Sequence, residues 1–299
     1  MNAEATSQRI AFKKILCLSD FSDASELALP FAINLSRAYG AKVLALHVLT
    51  PMPVAYVSPE TSMQLIDAVE EGARTGMQRL DCQLTGVDHE SLLLHGDNVW
   101  NSVSEVLKEH DIDLVVLGTH GRTGASKLVM GSVAEEVFRK CKAPVLTIGP
   151  SVHNGMHNGG KFQSVLFATD FGDDATAALP YALSIAEESQ AKLYLLHVLP
   201  QPVPNRFPKS SKETVADAMH HLQQLIPKDA EFWCKPEAVV WHGDAGESIL
   251  QAAKKLSADL IVLGIRGAGK GIMMATHLGN SVVYKVVTRS VCPVLTRRY

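Results

Sequence analysis

Apolar and polar positions along the chain follow two alternating periods. Short apolar runs such as KILCLS at 14–19, KVLALHVL at 42–49 and IDLVVLG at 112–118 have the length and continuity of strands buried on both faces. Between them apolar residues recur at helical spacing. After the first run, Leu27, Phe31, Leu35 and Ala38 form a stripe, with Ser22 or Asp23 placed to cap its start and Gly40 to stop it. A Pro-rich segment and a long helix lead to ESLLLHG at 90–96, and a helix is predicted near 98–109. After IDLVVLG come a helix over 132–141 and a last strand in APVLTIG. Strand and helix in strict alternation predict an α/β fold of the doubly wound kind, a parallel sheet with helices on both faces.

The same order is written again about 150 residues later. KKILCLSDFSDASELALPFAINLSRAYGAKVLALHVL at 13–49 matches QSVLFATDFGDDATAALPYALSIAEESQAKLYLLHVL at 163–199. LHGDNVWNSVSEVLKEHDIDLVVLGTHG at 94–121 matches WHGDAGESILQAAKKLSADLIVLGIRG at 241–267. A repeat of this length is a duplicated domain, since solenoid units run to tens of residues. The expected division is a first domain at 1–150, a linker at 151–160 in a Gly-, Asn- and His-rich stretch, and a second domain at 161–299.

Ligands of such sheets sit beyond the carboxyl ends of the strands, at the point where strand order reverses. There the first copy carries LVVLGTHGRTGASKLVMGSVAEEVF, residues 114–138. Gly118 ends a strand, and Gly121 and Gly124 permit close backbone approaches. Gly131-Ser132 opens a helix, and Ser132 with Glu135 has the spacing of a capping box. Backbone N–H groups at that helix start suit a phosphate, with Arg122 and Lys127 in the loop to add charge. A second reading stays open on spacing alone, because glycines of this kind also serve merely to pack a helix on a sheet.

The pattern Gly118-x-x-Gly121, nine residues, then Gly131-Ser132 resembles the ATP-binding signature of the universal stress protein family. The SDFSDAS turn, LHV in the second strand and the closing APVLTIG match in order, so the resemblance covers nearly the whole chain as two tandem copies. It implies a five-stranded parallel sheet in each copy and ATP, with Mg2+ on its phosphates, in the cleft at the carboxyl edge. It also implies an intrachain pseudo-dimer through PVLTIG and PVLTRR, and leaves a homodimer of the full chain open. Asp20 resembles the acidic residue near adenine and ribose, and Val48 the main-chain contact to adenine. Gly118, Gly121, Gly131, Ser132 and Val133 resemble the phosphate and ribose loop, with Arg122 beside them. Simpler roles compete: a strand-end Asp caps helices, and Val48 also reads as a core valine.

The second copy keeps Asp170, Val198, Gly264 and Gly267 in place. Eleven residues then separate Gly267 from Gly279 where the first copy has nine, and Gly279-Asn280-Ser281 replaces the Gly-Ser step. Asn280 or Ser281 still suits a helix cap, whereas a longer loop containing Met273 and Met274 intrudes where phosphates would lie. Those seven residues form a weak second site at most, and ATP is expected mainly in the first half. GIRGAGKG at 264–271 lacks the Ser or Thr that a P-loop offers to magnesium.

Composition removes other classes. A formal charge of −3 gives no electrostatic reason for nucleic acid or a membrane surface, and no apolar run reaches the ~20 residues of a spanning helix. The start of the chain lacks a signal peptide's apolar core, and five cysteines with no CxxC pair favour reduced thiols in the cytoplasm. No catalytic or metal-ligating set is recognised. His47 and His197 recur in LHVL as core histidines, and His95 and His242 recur in an HGD turn. His120 lies in the glycine loop opposite Arg266, and His220-His221 point to different helix faces. The expected function is a nucleotide-dependent regulator of the stress response with an unidentified protein partner. The alternatives are a slow ATPase or phosphotransferase, and an interaction protein with vestigial loops.

Overall fold

The computed structural model describes residues 10–51, 58–120, 130–152, 161–201, 214–265 and 281–298. Contacts divide them into two compact units, one spanning Phe12–Val145 and the other running from Leu146 onward and including Ile10 and Ala11.

The first unit contains β1 (Lys14–Leu18), α1 (Asp23–Tyr39), β2 (Lys42–Leu49), α2 (Pro59–Gln83), β3 (His89–His95), α3 (Val99–Glu109), β4 (Leu114–Gly118) and α4 (Ser132–Lys140). Its strands lie in the order β3-β2-β1-β4, and the printed registers are all parallel: Leu16 stands between Leu44 and Val115, and Leu46 opposite Leu92. Order reverses after β1, so the switch point falls between β1 and β4. Strand residues 15–18, 43–46 and 114–117 are buried, which follows when helices cover both faces of a sheet. The chain then enters β5 (Val145–Ile148) through Pro144, whose carbonyl accepts from the Val115 N–H at 2.9 Å.

The second unit repeats the plan with β6 (Ser164–Ala168), α5 (Asp173–Ser189), β7 (Lys192–Leu199), α6 (Val215–Leu225), β8 (Lys235–His242), α7 (Ala245–Lys255), β9 (Leu260–Ile265), α8 (Val282–Arg289) and β10 (Val294–Arg298). Strands β6 to β10 are all parallel, in the order β10-β9-β6-β7-β8, and β5 lies beside β10. There the buried Thr147 hydroxyl donates to the Val294 carbonyl at 3.0 Å. The closing strand of the first sequence copy therefore packs with the second unit.

Local chemistry explains the elements. Ser22 caps α1, its hydroxyl accepting from the Ser25 N–H, and Gly40 ends the helix at φ 65°, a left-handed conformation that glycine adopts without steric cost. Ser58 caps α2 and Pro59 opens it, so the end of the predicted Pro-rich loop is already helix. Proline's fixed φ suits a first turn, where its missing N–H has no partner to lose. Each copy also clamps the start of its first strand with a half-buried aspartate. Asp113 accepts from the Lys13 and Lys14 N–H groups at 2.8 and 3.3 Å, and Asp259 from Gln163 and Ser164 at 2.7 and 3.0 Å. Burial pushes the Asp113 carboxyl above its ordinary range, partly countered by those backbone donors. Among the described residues no helix is long and apolar enough to cross a membrane.

Candidate functional site

At the carboxyl end of β1 the chain turns sharply into α1. Phe21 takes φ 61°, unusual for a side chain of its bulk, and Phe171 takes φ 62° at the same step of the second copy. Both rings are held by histidines. His47 lies 4.3 Å from the Phe21 ring, centroid to centroid, and its Nδ1 is 2.7 Å from the Ser19 carbonyl. A carbonyl only accepts, so Nδ1 carries the hydrogen. His197 stacks on Phe171 at 4.4 Å and binds the Thr169 carbonyl at 2.8 Å. These two are core histidines with a structural task. In α2, Gly76 leaves room for the Phe21 ring, since an added Cβ would stand 2.7 Å from it.

Asp20 sits at this turn, as the sequence predicts. Its carboxylate accepts from the Ser22 N–H at 3.1 Å and from the Ser22 hydroxyl, and Asp170 accepts from the Gly172 N–H at 3.1 Å. Both acids thus stiffen the turn that aims α1 or α5.

The glycines that end β4 and β9 have a packing role. An added Cβ at Gly118 would stand 2.5 Å from the Ala24 carbonyl oxygen and 2.7 Å from its carbon. At Gly264 it would meet the Asp174 carbonyl oxygen at 2.2 Å and the Ala175 nitrogen at 2.5 Å. In each copy the first turn of the first helix crosses directly over the end of the fourth strand, and only glycine admits it.

Beyond Gly118, the Thr119 carbonyl accepts from the Gly131 N–H at 2.8 Å, which brings the two ends of the loop together at the start of α4. Met130, only 3% exposed, anchors that start. Ser132 and Glu135 form no capping box. Gly131 occupies the cap position with φ −63° and ψ 152°, so Ser132 is already the first helical residue, and no side chain of the described residues caps the helix. The second copy differs in the way its sequence suggests, because the Ser281 hydroxyl caps α8 and accepts from the Tyr284 N–H at 3.1 Å. The His120 Nδ1 lies 2.9 Å from the Thr119 hydroxyl, while its buried Nε2 meets no hydrogen-bond partner among the described residues.

The carboxyl edge of the first unit thus carries Asp20, the half-buried Val48, Gly118, Gly131, Ser132 and Val133, each at a strand end or helix start. Asp170, Val198, Gly264 and Ser281 occupy the corresponding places in the second. Gly121, Arg122, Gly267, Gly279 and Asn280 lie outside the described residues. Among the described residues no three His, Cys, Asp or Glu side chains gather to hold a metal.

Pattern reading missed a cavity of about 410 Å3 at the same edge, within the range of small-molecule sites. It opens past the end of β2 at Leu49, Thr50 and Pro51 and past β3 at His95, Gly96 and Asp97. Ile66, Val69 and Glu70 of α2 form its wall. Val48 adjoins it, with a methyl 3.6 Å from where a Gly96 Cβ would be. The signal lay in the topology, since β2 and β3 also end on the ligand edge.

Comparison with known proteins gives a consistent set of matches. The model of the Universal stress protein family fits residues 11–149 and again residues 161–298. A universal stress protein of Methanocaldococcus jannaschii is 31% identical over 140 residues, covering 46% of this chain and 82% of that protein. The universal stress protein YxiE of Bacillus subtilis is 34% identical over 151 residues, covering 46% and 99%. The crystal structure of a universal stress protein from Archaeoglobus fulgidus superposes with a TM-score of 0.69. It covers 95% of this chain and 98% of that one at 22% identity, a likeness of fold across both halves.

Proposed function

This chain belongs to the universal stress protein family, and from that membership and the geometry of its carboxyl edge we propose that the first half binds ATP. The observation that carries the reading is the contrast between the two helix starts. In α4 the cap is Gly131, which offers no side-chain acceptor, so the leading N–H groups suit a phosphate drawn by the helix dipole. In α8 the Ser281 hydroxyl occupies that role, and the second half is a poor nucleotide site. Asp20 and Val48 then face the ribose and base. Gly118 admits the close crossing that keeps α1 and the Asp20 turn in place. Mg2+ rides on the phosphates, a role that needs no ready-made ligand cage in the protein.

The nucleotide serves regulation in the cytoplasm during stress: occupancy shifts the population of conformations that an unidentified protein partner recognises. The test exploits chemistry at the cap. Asp at position 131 is a good helix cap, yet it sets a negative charge where phosphate would bind. Gly131→Asp raises the denaturation midpoint or leaves it unchanged, and weakens ATP binding by more than about tenfold. Unaltered affinity in calorimetric titration would remove the phosphate from α4.

A further inference from the structure

The apolar stripe of α2 is longer than the core it covers. At steps of three and four residues it runs from Leu80 through Met77, Ala73 and Val69 to Ile66 and Met63. Ala73, Met77 and Leu80 are buried, whereas none of the leading ten residues, 59–68, is. Those residues rise about 15 Å along the helix axis, so nearly three turns of α2 overhang the packed body. Met63 is 69% exposed, Ile66 45% and, on the flank, Leu65 38%. Ser58 and Pro59 already start the helix, and starting it asks for no apolar residues there. An exposed stripe that continues a core stripe is a surface for another molecule.

Charge decides the occupant. From Pro59 to Ala73 the helix carries Glu60, Asp67, Glu70 and Glu71 and no Lys, Arg or His. Arg74, the first base, pairs with Glu70 at 3.5 Å, and Glu60, Asp67 and Glu71 stand exposed beside the stripe. A second copy of this chain docked α2 against α2 would set acid against acid, and an anionic membrane surface would be repelled in the same way. We infer that the leading turns of α2 dock a basic amphipathic helix of a partner protein. Met63 and Ile66 form the ridge that enters its apolar groove, and the three exposed acids pair with lysines or arginines on its flanks. The unbranched Met63 adapts to the shape it meets. The inference deepens the regulatory reading above by naming the partner's chemistry, and it rests on that reading only for its purpose, since docking at this face needs no nucleotide.

The test titrates the full chain, without nucleotide, against a fluorescein-labelled helical peptide read by anisotropy. The peptide has about 18 residues, with leucines at three- and four-residue steps and lysines between them. Its controls are the same peptide with every lysine replaced by glutamate, and one of the same composition in scrambled order. The native chain binds the lysine peptide at least about tenfold more tightly than either control. Met63→Ser with Ile66→Ser weakens that binding about tenfold, and Asp67→Lys with Glu71→Lys turns the preference toward the glutamate peptide. All four positions are exposed, so both variants fold, and unchanged thermal midpoints check this. Equal binding of the lysine and scrambled peptides, or a preference that both double variants leave intact, would overturn the docking face while the ATP reading stands. A native dimer in sedimentation that Met63→Ser with Ile66→Ser dissolves would give the face to a second copy, and would overturn it too. A chain that docks the lysine peptide yet binds no ATP would support the face and overturn the nucleotide reading instead.

Discussion

Replacing Gly118 with alanine separates packing from ligand contact. The new methyl would lie 2.5 Å from the Ala24 carbonyl oxygen and 2.7 Å from its carbon, where ordinary contact begins near 3.4 Å. Relief demands a retreat of about 1 Å by the first turn of α1, which is backbone fixed by the Ser22 cap and the Phe21 turn. Overpacking of this kind costs roughly 1–3 kcal/mol, and the stiffer unfolded chain returns about 0.5 kcal/mol. The net loss is about 1.5 kcal/mol, or about 5–8 °C in Tm for a unit of this size. Gly264→Ala, with a contact of 2.2 Å, loses at least as much. Gly72 in α2 is the control, with nothing within 4 Å of its added Cβ. Gly72→Ala gains about 0.5–1 kcal/mol from helix propensity. Urea and thermal denaturation of the three variants supply the assay. A Gly118→Ala protein as stable as the native one would refute the packing argument and return that glycine to the ligand.

Other outcomes follow from single features. Ser281→Ala removes the α8 cap and costs about 1 kcal/mol, whereas Ser132→Ala, at an exposed first-turn position that caps nothing, changes stability by less than about 0.5 kcal/mol. Native thiol labelling modifies Cys82 quickly, because burial shields the other four cysteines and pushes the Cys17 and Cys234 thiols up to about 12; rapid labelling of several thiols would contradict the packing. Asp244 is held low by the Glu247 N–H and then by Lys285, and Glu247 by Lys285 and then Arg289. Depressed carboxyls add stability above their unfolded values of 3.8 and 4.5 and lose it as pH falls through the native ones, so the deficit of Lys285→Ala shrinks in acid and in 1 M salt. Asp113, raised by burial, has the opposite sign: its contribution falls as pH rises through the carboxylate range above 3.8, and Asp113→Asn flattens that slope.

The sequence made the architecture legible because two periodicities and one duplication agree with each other. Strand ends, the Ser22 cap and the Gly40 stop follow from local steric rules that tertiary context does not override. What escaped depended on residues brought together by the sheet. The Asp113 and Asp259 clamps join positions about 100 residues apart, and no spacing marks them. Gly118 is open in the sequence to both a ligand and a packing reading, and only the crossing of α1 places Ala24 against it. The Ser132–Glu135 pair has the right spacing for a capping box, but Gly131 takes the cap and moves the register by one residue. The cavity under α2 depends on how far a helix overhangs two strand ends, a quantity that amphipathic periodicity alone does not contain.

The central claim is one nucleotide site per chain, in the first half. Nucleotide released by denaturing the freshly purified protein, quantified by chromatography with and without prior ATP saturation, measures it directly. About one ATP per chain is expected, lost in Gly131→Asp and retained in Gly279→Trp. Two per chain, or none even after saturation, would contradict it.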